Sequence, residues 1–71
     1  MERNFIKFNN DTVCLNSKYI TYIEMLNYCE GRYKIVAHAF QTDKSEFVYA
    51  ICDTLEEAKE KMEVLTYRIT N

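Results

Sequence analysis

At Asp53 the spacing of apolar residues changes its period, and that change limits the class of fold open to this chain. Beyond it, Leu55, Ala58, Met62, Leu65 and Ile69 recur at intervals of three and four residues, the spacing that lines one side of an α-helix. Thr54 and Glu57 stand as T-x-x-E directly before the run, a capping box that satisfies two of the orphan amides of a helix start. Glu56, Glu57, Lys59, Glu60, Lys61 and Glu63 fill the other side, with Glu57 and Lys61 in the favourable i,i+4 order. The pattern predicts a helix over about 55–69.

Before Asp53 the residues are β-branched and aromatic and alternate with a period of two. Strands are expected over about 4–9, 12–26 with a bend at 16–18, 33–40 and 46–52. The chain has one glycine and no proline, so nearly every turn must be built from Asn, Asp, Ser or Lys. Asn9-Asn10-Asp11 and Gln41–Ser45 read as hairpin turns, and Gly31 suits the positive-φ position of the turn at Glu30-Gly31. Four antiparallel strands followed by one helix bury a core when the helix lies across one face of the sheet. The expectation is an α+β domain spanning 1–71, a four-stranded meander with a C-terminal helix.

The last strand poses a question of covering. Phe47, Tyr49 and Ile51 alternate with Val48, Ala50 and Cys52, so both of its faces are apolar, while one helix covers only one. A solvated face carries polar residues instead. Small residues let a helix approach closely, which places Val48, Ala50 and Cys52 beneath it. Phe47, Tyr49 and Ile51 then face outwards, with Tyr33 as a neighbour, and an exposed apolar patch of that kind marks an interface. A core of this size supplies only about 3–5 kcal/mol, a further reason to expect self-association, with a dimer as the first expectation.

Several segments together resemble a known set of sequences. F-I-K-F-N-N-D, V-C-L-N-S-K-Y-I-T-Y-I-E, Y-K-I-V-A-H-A-F and F-V-Y-A-I-C-D-T-L-E-E-A-K-E-K-M are similar to small uncharacterised bacterial and phage proteins. Those proteins run strand, L-N-x-x-x-I-x-x-I-E strand, two more strands and a helix opened by D-T-x-E-E-A. The first half also resembles small flagellar-operon and swarming-motility proteins that share the L-N…I…I-E pattern. Where the motility type has a T-N-G-like hairpin, this chain has Gln41–Ser45. The resemblance implies a fold, and carries no active site to transfer.

Charge and thiol chemistry narrow the functional classes. A formal net charge of −2 argues against a surface built to grip phosphate backbones, although Lys18-Tyr19-Tyr22 and Arg32-Tyr33-Lys34 interleave bases with aromatics. No stretch approaches the ~20 apolar residues of a membrane span, and no basic-then-apolar leader opens the chain. Cys14, Cys29 and Cys52 are odd in number, unlike a disulfide framework, and fit a reducing cytoplasm. Three Cys and one His satisfy the count of a zinc site, but no close C-x2–4-C pair presents two thiolates together. His38, the single histidine, has the parity of Val36 and Phe40 on its strand and is expected half-buried there rather than paired with a nucleophilic cysteine. Glu56, Glu60 and Glu63 lie on a solvated helix face interleaved with lysines, without the water-poor pocket that acid–base chemistry needs.

No enzyme, cofactor or metal reading emerges from these residues. The expectation is a non-enzymatic cytoplasmic protein that self-associates and acts by binding another, unidentified protein, through Tyr33, Phe47, Tyr49 and Ile51. The alternative is a phage or mobile-element type inhibitor or accessory protein that binds a host protein through its acidic helix, or, as a nucleic-acid mimic, through an acidic ridge of Asp43, Glu46, Asp53, Glu56, Glu57, Glu60 and Glu63.

Overall fold

In the computed structural model, which describes residues 5–39 and 46–70, the strands form two sheets rather than one meander. Strands β1 (Phe5–Phe8) and β2 (Val13–Asn16) pair as a hairpin; β3 (Ile20–Asn27), β4 (Tyr33–Ala39) and β5 (Phe47–Cys52) form a three-stranded antiparallel sheet in that order. Helix α1 spans Leu55–Thr70. The α+β class is as expected, but the single four-stranded sheet is not. The bend expected at 16–18 is a 3₁₀ turn, Ser17–Tyr19, and it cuts the long second strand into β2 and β3. Its cause is local: the Asn16 side chain accepts a hydrogen bond from the Lys18 N–H at 3.2 Å, offering the backbone an alternative to the strand ladder.

The turns follow from the shortage of glycine. Asn9, Asn10 and Asp11 take φ of 53°, 60° and 67°, the left-handed region that short polar side chains tolerate best. Thr12 closes this turn, its N–H donating to the Asn9 carbonyl at 3.2 Å. At the second turn, Glu30 and Gly31 both have positive φ. The expected hairpin loop Gln41–Ser45 and the strand ends at Asn4 and Phe40 lie outside the described residues.

The capping box forms with one displacement. Glu57 N–H donates to Thr54 Oγ1 at 3.1 Å, and Ala58 N–H makes the first helical bond to the Thr54 carbonyl. The Glu57 carboxylate reaches back past the cap to accept from the Asp53 N–H at 3.4 Å. Ala58 and Leu65 are fully buried, with Met62 and Ile69 packed beside them, as the spacing predicts. Leu55, at the first turn, is exposed instead.

One core joins all the elements. Register places Ile23, Ala37 and Phe47 in one row across the sheet, and Met25, Ile35 and Ala50 in the next. Asn27, Tyr33 and Cys52 form the third row. Most of these side chains meet α1 and the hairpin, which contributes Ile6 and Phe8. The Phe8 ring packs against Phe47 and Tyr49 at centroid distances of 6.5 and 5.8 Å. No helix among the described residues is long and apolar enough to cross a membrane.

Candidate interaction edge

The face assignment of β5 needs correction, and the reason is a β-bulge. Val36 pairs with Val48 and Ile35 with Ala50, so Tyr49 is an extra residue with no partner of its own on β4. An inserted residue reverses the alternation beyond it. Phe47 before the bulge and Cys52 after it therefore share the core face, at 5% and 1% exposure. Phe47 is in the core rather than on an outer patch. Tyr49 and Tyr33, also expected outside, are half-buried and packed on the core. Of the four residues assigned to the interface, Ile51 alone stands clearly exposed, at 45%. Among the residues placed under the helix, Cys52 and Ala50 do lie on that side, whereas Val48 lies on the other.

The edge of β5 is partly occupied by the chain itself. The Asn9 N–H donates to the Val48 carbonyl at 2.7 Å, and the Val48 N–H donates to Asn9 Oδ1 at 2.9 Å. Both Val48 groups therefore point away from β4. Val36 and Lys34, two residues apart on β4, pair with Val48 and Ile51 respectively. In an antiparallel ladder such pairs are of one kind, so Ile51 also turns its N–H and C=O outwards. A groove of about 420 Å³ runs along this edge, lined by Asn9, Asn10, Val48, Tyr49, Ala50 and Ile51.

Opposite the helix, the sheet presents Tyr22, Glu24 and Leu26 from β3, Lys34, Val36 and His38 from β4, and Val48 and Ile51 from β5, by the same register. Val36 on this face is wholly buried. His38 Nε2 lies 2.7 Å from Glu24 Oε2, and the Tyr22 ring stacks on His38 at 4.2 Å and 14°. Lys34 Nζ meets Glu46 at 3.4 Å and sits 5.5 Å from the Tyr28 ring centroid. This half-buried His38–Glu24 pair is invisible in the sequence, where the two residues are 14 apart and only the strand register joins them.

The alternative chemistries are also placed. Cys52 lies on the core face and His38 on the other, so the two do not meet, while Cys14 and Cys29 are exposed. Burial pushes the Cys52 thiol above the usual range. Among the described residues, no group of three or more His, Cys, Asp or Glu is arranged to hold a metal ion. Arg32 Nε pairs with Asp53 Oδ1 at 3.0 Å, which raises the guanidinium pKa. With Lys34 held by Glu46 and Tyr33 turned into the core, the Arg32-Tyr33-Lys34 run does not form an open basic aromatic platform. These two bonds engage Asp53 and Glu46 of the acidic ridge, and the Asp53 N–H engages Glu57. Glu56, Glu60 and Glu63 remain exposed on the helix beside Lys59 and Lys61; Asp43 lies outside the described residues. Comparison with protein-family models, with curated proteins and with solved structures finds no match.

Proposed function

We propose that this chain is a non-enzymatic cytoplasmic protein that self-associates through the β5 side of its sheet and acts by binding protein partners. The observation that carries this reading is the open groove beside an uncharged end strand, F-V-Y-A-I-C, with Ile51 exposed at its margin. Natural end strands are blunted by charge, by proline or by a covering element. Here a bulge and the Asn9 contact blunt the edge around Val48, and among the described residues no comparable backbone contact meets Ile51.

The non-enzymatic part rests on how the polar groups are spent. His38 and Glu24 form a half-buried cross-strand pair, and Lys34–Glu46 and Arg32–Asp53 pair at or beside the strand ends, which is how a solvated sheet surface is stabilised. Light scattering over a concentration series, with Ile51→Lys alongside, tests the proposal. A dimer or larger assembly at low micromolar concentration is expected, with Ile51→Lys falling to the 8.5 kDa monomer. A wild-type monomer throughout would overturn it.

A further inference from the structure

We infer that the partner at the β5 edge is a second copy of this chain, joined by antiparallel β5–β5 pairing about a two-fold axis at Ile51. The inference rests on the self-association reading above and specifies the contact that carries it. With Val48 taken by Asn9, Ile51 is the position on β5 whose ladder geometry leaves both an N–H and a C=O directed at the open edge. A symmetric pair at Ile51 exchanges those groups reciprocally, forming two hydrogen bonds between the copies. Ala50 and Cys52, whose own groups point towards β4, then face one another across the non-bonded positions, as the alternation requires.

Side-chain chemistry favours the same occupant. Directly opposed residues in an antiparallel pair lie on one face, so the two Ile51 side chains meet and cover each other on the side away from the helix. Cys52 of one copy faces Ala50 of the other, and Asp53 faces Tyr49. No like charges are brought together, and the formal net charge of −2 adds little long-range repulsion. A longer foreign strand fits less well, because the Asn9-Asn10 turn already stands at Val48 and stops its extension. A two-fold pair needs only the short stretch from Tyr49 to Asp53. Closed isologous contacts of this kind are the commonest route to a dimer.

Two readouts on the full chain test the pairing. The first is an isotope-filtered NOE experiment on a mixture of labelled and unlabelled protein, where Ala50 Hα is expected to contact Cys52 Hα of the other copy. The second is Ile51→Pro, which removes an N–H that β4 does not use, and which an edge strand tolerates there. Its dissociation constant for the dimer is expected to rise about ten-fold or more, with the circular dichroism of the monomer retained. A dimer without the intermolecular NOE would overturn the Ile51 pairing and leave self-association standing. A wild-type monomer at every concentration would overturn both. If Ile51→Pro does not fold, the NOE on the wild type decides alone.

Discussion

Val48 and Ile51 offer the same backbone groups along one edge of β5 and meet different treatment. At Val48 the chain closes its own edge, lending Asn9 as donor and acceptor from a turn 39 positions away. At Ile51 it does not. The difference shows how a small sheet can close part of its own edge. A hairpin held in place by core contacts blocks one end of the strand, and a bulge at Tyr49 turns the ladder just past the block. What remains open is the short stretch around Ile51, where the proposed pairing makes one symmetric contact.

The largest break in this contrast comes from removing the hairpin's anchor. Phe8→Ala is expected to cost about 3–5 kcal/mol, close to all that a single core of this size supplies. Thermal unfolding by circular dichroism should lose most of its cooperative transition. A fall of only a few degrees would mean that Phe8 does not hold the hairpin on β5.

Next in size is Asn9→Ala. It removes the acceptor of the Val48 N–H and places alanine at a positive φ, a loss expected at about 1–3 kcal/mol by urea denaturation. The amide of Val48 should then exchange faster while the β4 amides keep their order. Thr54→Ala removes the cap just beyond the open end of the strand and should lower stability by about 1 kcal/mol. Its dimer, measured where the variant is fully folded, should match the wild type.

The smallest effects concern thiols. Cys52 holds its proton more tightly folded than unfolded, because burial disfavours the thiolate. The stability it contributes is present below the ordinary thiol pKa of about 8.5 and is lost as pH rises towards and through the raised folded value. The alkaline slope of unfolding free energy should therefore flatten in Cys52→Ala. Under native conditions, a thiol reagent should modify Cys14 and Cys29 quickly and Cys52 only on opening, since Cys52 alone is buried.

The sequence made local structure legible and left tertiary pairing obscure. The helix from Leu55, its cap at Thr54 and the Asn9–Asp11 turn are written in spacing and side-chain chemistry that act over a few residues. The split at Ser17–Tyr19 was visible as a bend, but whether it broke the sheet depended on how the hairpin packs. On β5, strict alternation sent Phe47 and Cys52 to opposite faces. The bulge at Tyr49 is a property of two strands in register, and no residue within F-V-Y-A-I-C announces it. The apparent excess of apolar faces shrinks for the same reason. Phe47 turns inwards, and Val36 is buried on a face that also carries the Glu24–His38 and Lys34–Glu46 pairs, which join residues 14 and 12 positions apart. Ile51 stays exposed because it follows the bulge and pairs with Lys34.

The central claim is that Val48 is closed by the chain and Ile51 by a second copy. Residue-resolved amide exchange, followed from dilute to concentrated protein, measures both positions in one experiment. Val48 should be protected at every concentration, while protection at Ile51 should rise with the dimer population. An Ile51 amide whose exchange does not change with concentration would contradict the claim.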